Sequence, residues 1–302
     1  MAKKLTIKLD TSRYKAPTQE DLQAAKTYIL RMNDAANAMR DYAVEEIEDA
    51  AVELAQIAMR YEIDPKQFSF DSSVSEDMMT EVAAVMDNLE DSLVEHLEDY
   101  ATACAEDEGS KTVLLAFLLT LGHRNLGIRD TVHEYLWRTL RQTEALVVAA
   151  KENALSPTQT LSVIRSALAS VNTDRFFLSL MRYRHLYNAQ FIRSGGKATY
   201  SDGTPNVQGV PVAGVKAVVN TLVNAVHSTW HYNETEEMRQ NGAAGYWQFR
   251  GSDFPCDICD EEVGFHELGD MEYDEWPHAH CMCGRIPIYR KEELENMTEY
   301  GT

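Results

Sequence analysis

Apolar residues recur along the first third of the chain at helical spacing. From Leu22 they continue as Ala25, Ile29, Met32, Ala36, Met39, Ala43, Ile47, Ala50, Leu54, Ile57 and Tyr61. Steps of three and four alternate, with a single four-four step at Ala43, which describes a helical seam with one stutter. Thr18-x-x-Asp21, just after Pro17, offers a reciprocal cap at the start, and Ile63-Asp64-Pro65 ends the helix near Tyr61. A second seam runs Met79, Val82, Met86, Leu89, Leu93, Leu97, Tyr100 and Cys104, behind a cap read at Ser73-x-x-Glu76. Its own four-four step falls at Leu93. An antiparallel hairpin would set the two stutters side by side.

Helical spacing continues downstream. The short apolar run at 112–122 predicts a buried core helix, too short to span a bilayer. Residues 127–153 form an amphipathic pattern with Ile128, Val132, Tyr135, Leu136, Leu140, Leu146 and Val147 inward. Ser156-Pro157-Thr158-Gln159 opens another helix carrying Leu161, Ile164, Leu168 and Val171. From about residue 172 to Arg193, arginines alternate with Phe176, Phe177, Tyr183 and Tyr187. Such a face could grip nucleic acid, but its aromatics more commonly pack into a core. Residues 194–214 are Gly- and Pro-rich and read as a loop or β-ribbon.

A helix from about 215 to 240 follows, with Val218, Leu222, Ala225, Val226 and Thr229 inward. GYWQFRG (245–251) and RIPIY (285–289) read as strands, and the acidic tail from Lys291 as poorly packed. Residues 4–9 alternate weakly, as a short edge strand or an ordered arm would. The fold expected is mainly α. It comprises a long N-terminal antiparallel helical hairpin (1–110), a helical middle with the Gly/Pro loop (111–213) and a small α+β zinc-knuckle domain (214–302).

Charge sharpens this division. Of the net −20 over 302 residues, positions 1–110 carry −15, 111–240 carry +5 and 241–302 carry −10. Acidic ends repel phosphate, so direct nucleic-acid binding through them is disfavoured. The N-terminus is basic but has no apolar h-region, and no membrane-length apolar run follows, so the product is expected to stay in the cytoplasm where it is made.

Candidate chemistry concentrates at 253–287. Four of the five cysteines lie there (Cys256, Cys259, Cys281 and Cys283), together with His266, His278 and His280. A Cys-x-x-Cys step followed by a His/Cys group can close a tetrahedron around Zn2+, which soft thiolates and imidazole favour over Mg2+ or Ca2+. The set read here is Cys256, Cys259, His278 and Cys283, with Cys281 as the alternative fourth ligand. His266 and His280 then lie outside the first ligand sphere. Disulfides and plain thiols are the competing readings of the same cysteines.

The succession of a helix, a strand containing Trp247, Cys256-x-x-Cys259, Gly264, and His278 with Cys281 and Cys283 before a short strand resembles a known family. It is similar to the C-terminal domain of phage head-morphogenesis minor capsid proteins of the Mu F type. The likeness spans roughly residues 155–290, with its distinctive motifs between 245 and 288. Asp257, Ala279, His280 and Met282 depart from the family pattern, whereas the His and Cys positions keep to it.

The resemblance implies a non-enzymatic virion component. It would be made in the host cytoplasm and incorporated in few copies, and would dock to portal or other capsid proteins at the portal vertex or inner shell. The hairpin could also self-associate. Two zinc-enzyme readings compete. A base deaminase needs His-x-Glu upstream of its cysteines, but His231-x-x-Glu234 is one residue too long, which rotates the Glu by about 100° on a helix. A nuclease-type knuckle lacks a catalytic His/Asn pair and a basic groove.

Overall fold

The computed structural model describes residues 9–65, 67–70, 75–122, 126–168, 212–250, 260–268 and 283–291, with backbone alone at 142, 166–168 and 212–214. Among them the chain is mainly helical with one small antiparallel sheet. In order, the elements are α1 (Gln19–Arg60), α2 (Glu76–Thr102), α3 (Glu108–Thr120), α4 (Ile128–Glu152), α5 (Pro157–Leu168) and α6 (Val212–Gln240). Strands β1 (Gly245–Phe249), β2 (Gly264–Glu267) and β3 (Gly284–Ile288) follow. The chain divides into two compact units built from non-contiguous segments. Residues 1–38, 99–118 and 223–302 form a sheet unit, and 39–98 with 119–222 form a helical unit. No described helix is long and apolar enough to cross a membrane.

In the helical unit, the seams become the core. Met39, Ala43, Ile47, Ala50, Leu54 and Ile57 of α1 are buried, as are Val82, Met86, Leu89, Leu93 and Leu97 of α2. Each such large aliphatic side chain contributes about 1.5–3 kcal/mol by leaving water. One seam position differs: Met78 is 1% exposed and Met79 40%. Ser75 caps α2, its Oγ accepting from the Met78 amide at 3.3 Å. Ser73 itself lies outside the described residues.

Tyr42 Oη lies 2.5 Å from Ser92 Oγ, and its ring stacks on His96 with centroids 3.7 Å apart. Further along, Tyr61 Oη donates to Glu81 Oε1 at 2.6 Å. On α4, Ile128, Val132, Leu136, Leu140, Leu146 and Val147 are buried as expected, and Tyr135 is only partly so. α5 begins with a two-way cap: Ser156 N donates to Gln159 Oε1 at 2.9 Å, and Gln159 N to Ser156 Oγ at 3.3 Å.

The sheet unit opens with an equally explicit cap. Thr18 N donates to Asp21 Oδ2 at 2.7 Å, and Asp21 N to Thr18 Oγ1 at 3.1 Å. The first half of α1 meets the second half of α6 through Tyr28, whose Oη donates to the Trp230 carbonyl at 2.6 Å. Trp230 Nε1 in turn donates to the Tyr100 carbonyl at 3.2 Å. α3 is less buried than its composition suggests. Leu114 and Leu118 pack inward, but Val113 and Leu119 are 50% and 58% exposed.

The sheet has the order β2-β1-β3, both neighbours antiparallel to β1. All five residues of β1 are buried, so the central strand carries no exposed polar alternation. Gly242, at φ 72, makes the left-handed turn that ends α6 and leads into β1. Gly284 permits close approach: a Cβ there would overlap Ile29 Cδ1 and the Phe249 ring.

Two features of this unit differ from the sequence expectation. β2 was not expected. Lys291, where a poorly packed tail was expected to begin, is itself held: its amide donates to the Arg13 carbonyl at 3.1 Å and its Nζ to the Thr11 carbonyl at 2.7 Å. Lys15 N likewise donates to the Tyr289 carbonyl at 2.9 Å, and Tyr14 forms an isolated antiparallel bridge with Arg290, so residues 11–15 are tied to the chain just after β3. The expected helix at 172–193, the Gly/Pro loop and most of the acidic tail lie outside the described residues.

Candidate functional site

Of the residues singled out as metal ligands, Cys283 is described, 2% exposed and immediately before β3. Cys256, Cys259, His278 and Cys281 lie outside the described residues, as does His280. His266 sits on β2, partly exposed, with Nε2 2.8 Å from the Glu262 carbonyl and its ring stacked on Tyr246 at 5.2 Å. Among the described residues, no three His, Cys, Asp or Glu side chains converge on a common metal position.

Two residues after Cys283, Arg285 belongs to a buried polar cluster that the hydrophobic pattern did not signal. α6 turns His227, His231, Asn233, Glu234 and Thr235 into the interior, each under a tenth exposed. Arg285, on β3, is 2% exposed and faces them. Its Nη1 donates to Thr235 Oγ1 at 2.7 Å, and Thr235 Oγ1 donates onward to the His231 carbonyl at 2.8 Å. The guanidinium also lies 4.6 Å from the centroid of the Tyr246 ring. A guanidinium suits this position because its planar fork serves a hydroxyl and an aromatic face together.

The electrostatics follow from burial. His231 is held well below the usual imidazole range, first by loss of solvent and then by the nearby Arg285 and His227, so its ring is neutral. Glu234 is pushed up to about 7 by burial, against the opposing pull of Arg285. The two meet one turn apart, His231 Nδ1 lying 3.4 Å from Glu234 Oε2. Glu237, half-buried and bonded to Asn233, is raised as well, chiefly by desolvation.

This pairing bears on the deaminase reading, because Glu234 is engaged with the His231 ring within one helical turn. Sequence reasoning did miss the role of α6. The usable signal was His227-x-x-x-His231, two imidazoles at i and i+4 that share one helix face. No family model, no curated protein and no solved structure matches this chain.

Proposed function

We propose that this chain is a non-enzymatic phage minor capsid protein of head morphogenesis, docking to the portal or inner shell through protein–protein contacts. In this reading a zinc ion held by Cys256, Cys259, Cys283 and an imidazole, which the sequence assigns to His278, locks a small C-terminal module. The observation that carries it is the order of parts: a long helix, a central strand with buried Trp247, then β2 opening at Gly264. Buried Cys283 follows immediately before β3.

The N-terminal half fits a docking arm. The pairing of Tyr42 with Ser92 and of Tyr61 with Glu81 supports an antiparallel hairpin of α1 and α2, its stutters at Ala43 and Leu93 adjacent. Exposed Leu30, Val113, Leu119, Trp137 and Val263 offer apolar contact for partner proteins or a second copy. The acidic ends favour protein partners over DNA. A zinc enzyme, nuclease-type or deaminase, is the second reading, and the Glu234–His231 contact gives it no support as an open catalytic site.

The test is to locate the chain in purified particles by cross-linking and mass spectrometry. Cross-links to the portal or inner shell in sub-stoichiometric amount are expected. A chain found only in the lysate, and never in finished or precursor heads, would overturn the assignment.

A further inference from the structure

On α4, His133 and Trp137 each follow a buried residue, Val132 and Leu136, so the pair stands one turn apart along the rim of the buried face. Glu90 holds the same place on α2, just after buried Leu89. Within the helical unit these three side chains form a chain of hydrogen bonds. His133 Nδ1 lies 2.6 Å from Glu90 Oε2, and Trp137 Nε1 donates to His133 Nε2 at 2.8 Å. An indole nitrogen can only donate. His133 Nε2 therefore carries no proton, and Nδ1 carries the one that Glu90 accepts. Both bonds exist together only for the neutral Nδ1–H tautomer.

We propose that His133 is an acid-operated latch on Trp137: neutral, it holds the indole by its N–H; protonated, it keeps Glu90 and lets the indole go. Adding a proton spares one bond and breaks the other. Glu90 Oε2 accepts from Nδ1–H in either state, and in acid it does so as half of an ion pair. At Nε2 the new hydrogen meets the indole N–H, donor against donor, and that contact is lost. The His133 side chain is 54% exposed and open to solvent protons, whereas the Glu90 side chain, 14% exposed, is the fixed partner. The other charged groups do not compete for the ring. Arg129 Nη1 donates to Glu90 Oε1 at 3.2 Å and to Asp91 Oδ1 at 2.7 Å, which leaves Oε2 to the imidazole. Asp130 lies one turn before His133 on α4, and Arg138, beside Trp137, pairs with Glu134 and lies over the Tyr135 ring. Trp137 is one of the exposed apolar side chains of this unit, so acid changes the aromatic surface that α4 presents. The latch needs neither the zinc ion nor a capsid partner.

The test uses the full chain labelled with 5-fluorotryptophan, the Trp137 19F resonance being assigned by its loss in Trp137→Phe. Between about pH 8 and about pH 5, the span over which histidine charge changes, that resonance is expected to move and its H2O/D2O isotope shift to grow. The resonances of buried Trp230 and Trp247 should stay in place. Histidine 15N spectra at the upper pH should show His133 as the Nδ1–H tautomer. His133→Gln cannot take up the proton, so its Trp137 resonance should ignore the change of pH. The replaced side chain is largely exposed, which leaves the core of the unit intact. A wild-type Trp137 resonance that stays put, one that moves equally in His133→Gln, or an Nε2–H tautomer at the upper pH would each overturn the proposal.

Discussion

Arg285 Nη1 donates to Thr235 Oγ1 at 2.7 Å, joining the last strand to the last helix through two buried side chains. The hydroxyl is both acceptor for the guanidinium and donor to the His231 carbonyl, so it links a buried cation to the backbone. Thr235→Val keeps the shape and removes both bonds. The expected cost is about 1–3 kcal/mol, the range for stranding a buried donor. Thr235→Ser should recover most of it. Urea denaturation followed by Trp fluorescence checks this, and an unchanged midpoint in the valine variant would contradict it.

In the helical unit, Glu144 is 4% exposed and accepts from Ser69 Oγ at 2.9 Å and from Phe70 N at 3.1 Å. It thereby ties α4 to the segment that leads out of α1, where Phe68 and Phe70 pack edge to face at 4.9 Å. Glu144→Ala should destabilise the unit by about 1–3 kcal/mol, because it strands the buried Phe70 amide and the Ser69 hydroxyl that the carboxyl accepts from. Hydrogen exchange should speed up at the Phe70 amide before it does elsewhere in the unit.

Cys104 has its thiol pushed up to about 12, mainly by burial, and its Sγ lies 3.7 Å from the Ala101 carbonyl. A raised thiol stays protonated throughout the physiological range, and the thiolate is the nucleophile. Iodoacetamide at pH 8 should leave Cys104 unmodified in the native chain and label it once the chain is unfolded. Rapid labelling of the native protein, read by peptide mass, would refute this.

Asp107 caps α3, with Oδ1 accepting from Ser110 N at 2.7 Å, and its pKa is lowered by the Ser110 backbone and side-chain bonds. A depressed carboxylate stabilises the fold above its unfolded-state value, and that contribution disappears as pH falls through the folded value. The start of α3 should therefore fray in acid, seen as faster exchange at the Ser110 and Lys111 amides below about pH 4. Asp107→Asn should remove that pH dependence.

Local rules made much of the helical framework legible. The caps at Thr18/Asp21 and Ser156/Gln159 form as their spacing requires, and the α1 seam is buried from Ala25 to Ile57. The misses have a shared cause. Whether Met78 or Met79 turns inward depends on the helix phase set by its partners, which a one-residue shift alters. β2 is four residues long and lacks alternation, so it exists only because β1 offers it a pairing edge. Lys291 is ordered by an arm nearly three hundred residues earlier in the chain, a contact invisible to any local window. The candidate ligands were legible as residue types, but the polar face of α6 was not. His231, Glu234 and Thr235 look like solvent-facing residues until Arg285 is placed opposite them.

The most direct measurement is the zinc content of the purified full-length chain, paired with that of the Cys256→Ser/Cys259→Ser variant. One tightly held equivalent in the wild type is predicted, with none in the variant. The loss should be accompanied by weaker hydrogen-exchange protection across 223–302 and the segments packed with it, while 39–98 stays protected. A double variant that retained its metal and its full protection would contradict the account.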